Sequence, residues 1–372
     1  MARIALVAND AGNLLASRLS LARAARAAGH EVAAVVPASP RAAEIEAQGV
    51  AVRTLHLSRR GTNPLVEARA WRTFARLYRE LRPDLVHHFT VKPIVYGGLA
   101  AREAKVRAVV HSVTGLGFVF TSDAPKARML RPLVVAAYRR VFAHPNCRVL
   151  VQNEDDLAAL VAARALPREK AVLIRGSGVA VDNIAPTPEP ESVPLVVLPA
   201  RMLRDKGVVE FVDAARALRA RGVDARFALV GDVDDNPESL PRERLEAWAK
   251  EGVIEWWGWR NDMDAVHHAA SIVCLPSYRE GVPRALLEGA AHARPIVTTD
   301  APGCRDAVEP GKSGLLVPPR DARALADALG TLLADPAARA RMGMAGRALV
   351  EREFSERRVV DETMRVYREL LA

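Results

Sequence analysis

Cysteine is scarce. The 372-residue chain has three, Cys147, Cys274 and Cys304, with no CxxC pair and no histidine at ligand spacing beside them. That argues against a disulfide framework and against a zinc site, and reduced cytosol is the simpler setting. Long apolar runs are also missing. The longest candidate, LVVAAY (133–138), is closed in by Arg131 and by Arg139 and Arg140, far short of the roughly 20 residues a bilayer span needs. MARIALVAND runs from one basic residue straight into a strand-like stretch, with no signal-peptide pattern. A soluble chain is expected, although one that can still touch a membrane. Aromatic residues make up only 5%, so Ala, Leu and Val must fill the interior. After the first strand, VANDAGNLLASR lacks GxGxxG, and Glu31 opens the second strand instead of an acid closing it. Both points disfavour a dehydrogenase.

Positive charge, by contrast, is abundant and uneven. The net charge is +9, yet residues 1–183 hold 27 Lys/Arg against 14 Asp/Glu, whereas the remainder holds 26 against 30. A basic first half suits nucleic acid, anionic lipid or a phosphate-bearing ligand. Nucleic acid is set aside, because no helix-turn-helix cue, Lys/Arg block or aromatic-rich basic strand is present.

Short apolar runs alternate with Ala/Arg/Leu helical patterns along the whole chain, which predicts an α/β fold with parallel sheets. Strands are expected at 3–8, 31–37, 84–89, 107–113 and 148–152, and again at 194–200, 225–231, 253–258, 271–276, 295–300 and 314–319. VAVDNIAPTPEPESVP is rich in Pro and acid and reads as a linker over 179–194. Two Rossmann-like domains, 1–178 and 195–354, are therefore expected to face each other across a cleft.

The stretch YREGVPRALLEGAAHARPIVTTDAPG (278–303) follows the buried-strand pattern SIVCLPS. Residues after the carboxyl end of a parallel strand sit where open α/β sheets bind ligands. Pro283 suits a first helical turn. Glu280 then lies in the loop ahead of the helix and Glu288 about two turns into it. Free N–H groups and the positive helix end favour a diphosphate there. Carboxylates suit sugar hydroxyls. PARMLRDKGVVEFVDAARAL (199–218) also follows a strand, and places Arg201 and Lys206 at its end. Arg offers a planar fork to phosphate and Lys a compact charge. Together the two loops suggest a clamp for a nucleoside diphosphate-sugar.

RMLRDKG followed by YREGVPRALLEGA, with its Glu-x7-Glu spacing, resembles the retaining glycosyltransferases of GT-B fold known as family 4. The resemblance spans nearly the whole chain. It implies that a helix over 355–372 returns to pack on the first domain. It implies catalytic roles for Arg201, Lys206 and Glu280, the cations gripping the diphosphate of a departing UDP and Glu280 holding sugar hydroxyls. It implies donor contacts from Glu288 at the ribose, from the backbone of Gly281, Val282 and Pro283, and from Arg284. Gly12 and Asn13 in the first βα loop would let the backbone approach the donor, and Trp259 and Arg260 would neighbour the nucleobase. No cofactor or metal is required; DVDDN (232–236) reads as an acidic turn.

HHFTVKPIVYGGLAA (87–101) and HSVTGLGFVFTSD (111–123) are similar, more narrowly, to bacterial enzymes that add N-acetylgalactosamine or a related sugar to a saccharide on undecaprenyl diphosphate. That implies a UDP-sugar donor, a lipid-linked acceptor, and acceptor contacts from His88, Thr90, Lys92, Thr114 and Gly115. The wider family's histidine after this strand is replaced by Thr114, with His111 three residues earlier, which puts a shared catalytic histidine in doubt. Alternatives are a transferase using a soluble acceptor, a UDP-sugar 2-epimerase, and a nucleotide-sugar binding protein without turnover. Helical patterns at 63–83 and 126–143 repeat arginines beside apolar residues, and LGFVFTS (116–122) is apolar. All three are candidate contacts with an anionic membrane, on the inner face of the cytoplasmic membrane.

Overall fold

The structure is a computed structural model that describes residues 1–55, 64–117, 120, 125–236 and 238–372, with side chains at all of these but 64–68 and 126. The chain divides into two compact units, Met1–Gly178 with Glu356–Ala372, and Val179–Ser355.

The first unit holds a parallel sheet of seven strands: β1 (Arg3–Val7), β2 (Glu31–Pro37), β3 (Ala51–Leu55), β4 (Leu85–Phe89), β5 (Ala108–Val113), β6 (Cys147–Val151) and β7 (Ala171–Leu173). Their order is β3-β2-β1-β4-β5-β6-β7. Every residue of β4 and β5 is buried, as strands covered by helices on both faces must be. The helix Ala11–Ala27 starts cleanly because the Asp10 carboxylate accepts from Asn13 N at 2.8 Å. Glu356–Leu371 packs on the same unit. Its Val359, Met364, Val366, Tyr367 and Leu370 share a core with Leu6, Leu14 and Leu85.

The two histidines of β4 alternate across the sheet, as successive strand residues must. His87 Nδ1 hydrogen-bonds Tyr367 Oη at 2.6 Å, and its Nε2 bonds Ser112 Oγ at 2.7 Å. His88 Nε2 bonds Tyr78 Oη at 2.7 Å, and its Nδ1 meets His111 Nδ1 at 3.2 Å. His88 is wholly enclosed. Its expected place at a ligand surface is corrected: Tyr78, His111 and Gly97 cover the ring. Burial, with the charge of His87 as a lesser cause, lowers its pKa to about 3.

The second unit holds six parallel strands: β8 (Leu195–Pro199), β9 (Arg226–Val230), β10 (Glu255–Gly258), β11 (Ile272–Leu275), β12 (Ile296–Thr299) and β13 (Gly314–Val317), in the order β10-β9-β8-β11-β12-β13. The stretch read as a linker is anchored to this unit. Val179 and Val181 lie in its core, and the Arg294 guanidinium holds Thr187 O and Pro188 O at 3.0 and 3.3 Å. Among the described residues, no helix is long and apolar enough to cross a membrane.

Candidate functional site

β8 and β11 are neighbours, paired through Ile272↔Val196 and Val273↔Val197. The strand order reverses between them, so the loops leaving their carboxyl ends part and open the crevice typical of such sheets. The β8 loop carries Arg201 and Lys206; the β11 loop carries Ser277, Tyr278 and Glu280. Gly207 closes the first loop at φ +70, and a Cβ there would lie 2.2 Å from Pro276 O. Only glycine permits both that backbone angle and that approach of the two loops.

Lys206 Nζ lies 2.5 Å from Glu280 Oε1, and Ser277 Oγ donates to the same oxygen at 2.9 Å. The Lys206 and Glu280 side chains are only 14% and 17% exposed, so water screens the pair poorly. Burial pushes the Lys206 ammonium down, but Glu280 and Asp205 outweigh it, and its pKa is raised. Lys206 is therefore a fixed cation. An ammonium has three donors. One serves Glu280, and the others suit a phosphate.

Arg201 pairs with Asp234 Oδ2 at 3.0 Å. Its charge also bears on Lys206, opposing protonation there, so the two cations expected to act together are neighbours. Asp234 belongs to DVDDN, which forms a turn. Asp234 N donates to Ser239 Oγ at 3.0 Å, and Asn236 N donates to Asp234 Oδ1 at 2.8 Å. Pro237 lies outside the described residues. Among the described residues, no three His, Cys, Asp or Glu side chains are placed to hold a metal.

Gly281, Val282 and Pro283 are buried. Pro283 lies just outside the helix rather than in its first turn: its ψ is 109, and the helix runs Arg284–Ala291. Glu288 is one turn in, and its Oε1 accepts a hydrogen bond from Arg284 Nε at 2.7 Å. Arg284 Nη1 is buried with no hydrogen-bond partner among the described residues, a donor left for a ligand.

Three further residues shape the site and escaped sequence reasoning. Ser277 orients Glu280. Tyr278 N donates to Asp205 O at 2.9 Å, and its hydroxyl donates to Glu210 Oε1 at 2.6 Å, tying the two loops together. Ser277 reaches Glu280 from only three residues away, whereas the Tyr278 contacts join residues far apart in sequence, which no local pattern announces.

Trp259 and Arg260 lie beyond β10, at the edge of the sheet. Trp259 is 64% exposed; Arg260 pairs with Asp262 and lies over the Trp257 ring at 5.9 Å. Trp256 and Trp257 are half-buried and hydrogen-bonded to Gly231 O and Glu255 Oε2, each at 2.9 Å.

The remaining expected residues belong to the first unit. Gly12 and Asn13 stand in the first turn of the helix Ala11–Ala27, not in a loop. Thr90, at the carboxyl end of β4, has φ +72. That angle is strained for a β-branched residue, and its buried hydroxyl has no hydrogen-bond partner among the described residues. Lys92 precedes the π-helical turn Pro93–Gly97. Thr114 and Gly115 follow β5 and are half-buried.

Known proteins show the same organisation. Residues 193–335 match the family described as "Glycosyl transferases group 1", and residues 3–144 match "Glycosyl transferase 4-like". A Campylobacter jejuni protein named N,N'-diacetylbacillosaminyl-diphospho-undecaprenol alpha-1,3-N-acetylgalactosaminyltransferase is 27% identical over 90% of each chain. Among solved structures, Anabaena HepE in complex with UDP-glucose superposes with a TM-score of 0.81 at 17% identity, over 99% of this chain and 100% of that one. Sucrose-phosphate synthase from Thermosynechococcus elongatus gives 0.80 at 21%, over 100% and 99%. The chain is an enzyme, a glycosyltransferase. It carries glycosyltransferase group 1 and type 4-like domains, and its fold is GT-B.

Proposed function

We propose that this enzyme moves an N-acetylhexosamine from a UDP-sugar to a saccharide carried on a polyprenyl diphosphate, with retention at the transferred carbon, in the assembly of a surface polysaccharide or glycoprotein glycan. The observation that carries the proposal is the Lys206–Glu280 pair at the ends of adjacent strands. It sets a diphosphate-binding cation against a carboxylate that can hold sugar hydroxyls, as one activated sugar requires. The name of the Campylobacter relative, which specifies an N-acetylgalactosamine transfer onto a diphospho-undecaprenol carrier, supports the donor and the acceptor class.

In this reading the acceptor hydroxyl attacks on the leaving-group face, and the departing phosphate oxygen takes its proton. The protein supplies positioning and charge stabilisation. Arg201 and Lys206 offset the charge growing on UDP, Arg284 adds its unpartnered donor, and Glu280 with Glu288 holds the sugar and the ribose. This chemistry needs no bound metal, since the two cations meet the diphosphate. The first unit takes the acceptor through Thr90, Lys92, Thr114 and Gly115. A carrier with a polyprenyl tail is met at a bilayer, so the enzyme works from the cytoplasm as a peripheral protein.

The test is a panel of labelled UDP-, GDP- and ADP-sugars with detergent-solubilised lipid-linked saccharide or with soluble sugars. Transfer from a UDP-N-acetylhexosamine to the lipid-linked acceptor is expected. Transfer to soluble sugars alone would overturn the acceptor, and interconversion of UDP-sugars with no acceptor present would identify an epimerase.

A further inference from the structure

Arg320 stands in a conformation that its residue type resists. It follows β13, and its φ is +64, in the left-handed region where a residue with a Cβ is strained. Helix capping does not call for an arginine there. The next residue, Asp321, caps the helix Ala322–Ala334 by itself, its carboxylate accepting from Ala324 N at 2.9 Å. Nor does an ion pair, since among the described residues the Arg320 guanidinium meets no carboxylate. It lies instead over the Tyr278 ring, 4.6 Å from the centroid, where the negative face of the ring attracts a cation.

Tyr278 is held from three directions. Its N–H donates to Asp205 O at 2.9 Å, its hydroxyl donates to Glu210 Oε1 at 2.6 Å, and Arg320 closes the ring face. Burial and the Glu210 carboxylate push the phenol above its usual range, against the charges of Arg320 and Arg204, so it remains a donor. Glu210 depends on it in turn. Its Oε2 is buried with no hydrogen-bond partner among the described residues, and loss of the phenol would leave both oxygens unmet. These residues come from three strand ends: Arg320 follows β13, Tyr278 follows β11, and Asp205 and Glu210 follow β8. Tyr278 stands two residues before Glu280, while Asp205 and Glu210 lie on either side of Lys206 in sequence. Whatever fixes the ring therefore fixes the cation against the carboxylate.

We propose that Arg320 is a positioning residue of the transfer site: from the β13 loop it holds the Tyr278 ring on Glu210 and so keeps Lys206 and Glu280 in register. It acts through Tyr278, not on the substrate. Backbone strain at residue 320 is what sets the guanidinium over the ring. The inference rests on the Lys206–Glu280 pair being the site of transfer, and adds a third loop that aligns it. Loss of alignment slows turnover more than it weakens binding.

Arg320→Gly separates alignment from folding, because glycine suits the left-handed angle. Its urea midpoint should hold or rise. With UDP-N-acetylgalactosamine and detergent-solubilised lipid-linked saccharide, its kcat should fall at least about fivefold while the donor KM changes less than about twofold. Tyr278→Phe should also lower kcat, and the double variant should lose less than the product of the two single losses, since both act through one contact. Hydrogen exchange reads the same contact with no donor or acceptor present: the amides of Tyr278 and Glu280, bonded to Asp205 O and Pro302 O, should exchange at least about tenfold faster in Arg320→Gly. Wild-type kcat in either single variant, a fall in kcat matched by a lower midpoint in Arg320→Gly, fully multiplicative losses, or unchanged amide exchange would each overturn the inference. Wild-type turnover in Lys206→Ala, or no transfer from any UDP-sugar, would sink the reading of the site, while exchange would still decide whether Arg320 holds the loop.

Discussion

Lys206 Nζ and Glu280 Oε1 meet at 2.5 Å across 74 residues of sequence, and Ser277 Oγ steadies the shared oxygen. Two parallel strands, each short and fully apolar, bring about this meeting by ending side by side.

Lys206→Ala should lower turnover at least tenfold, which is at least about 1.4 kcal/mol of transition-state stabilisation. The variant also leaves Glu280 without its cation in a poorly hydrated place, so some loss of stability should accompany it. Measured nucleotide release with donor and acceptor at saturation checks the first effect, and near-wild-type rates would contradict the assignment of the cation.

Gly207→Ala and Gly222→Ala make a matched pair. Both glycines have positive φ, +70 and +75, but a Cβ at 207 meets Pro276 O at 2.2 Å, whereas one at 222 meets nothing within 4 Å. The first should cost about 1–3 kcal/mol more in urea unfolding than the second. Equal losses would show that backbone angle alone matters, and that the close approach of the two loops does not.

Acid should unfold the first unit early. His88 titrates at about 3 in the folded chain, against about 6.5 when exposed. Between those values the unfolded chain binds a proton that the native chain does not. Stability therefore rises with pH through the window and is lost as pH falls below about 6.5. Burial also holds His87 and His111 well below the usual value, so both add in the same direction. Urea midpoints by circular dichroism at neutral and mildly acidic pH should fall progressively; a flat profile would contradict the buried network.

Cys147, Cys274 and Cys304 are free and buried. Burial raises all three thiols, Cys147 and Cys304 to about 12. Iodoacetamide at mildly alkaline pH should leave the native protein unmodified and alkylate all three once urea unfolds it, read by intact mass. Rapid native labelling of any one would contradict its enclosure.

Most strands were legible because doubly covered parallel strands are unbroken apolar runs, such as LVVLP and IVCL. β3 and β7 were not. They are the edge strands: AVRTL exposes Arg53 and Thr54, and AVL is three half-buried residues. Their signal is weak because only part of each strand is covered. The site followed the same division. Lys206 and Glu280 could be read as loop residues after strands, since topology alone fixes their neighbourhood. The Tyr278–Glu210 tie depends on a side-chain contact between residues 68 apart, which no local spacing encodes. His88 was misplaced for a related reason. Strand alternation sends His87 and His88 to opposite faces, but it says nothing of the tyrosine waiting on each: Tyr367 for one, Tyr78 for the other. The apolar stretch 116–122 was read as a membrane contact; Leu116 is buried, and residues 118, 119, 121 and 122 lie outside the described residues.

The helix Glu356–Leu371 lends Tyr367 and its neighbours to a core otherwise made by the first 178 residues. On the ribosome, that core must therefore wait. The amino-terminal lobe emerges with a gap over His87, the whole second lobe is synthesised, and only then does the missing wall arrive.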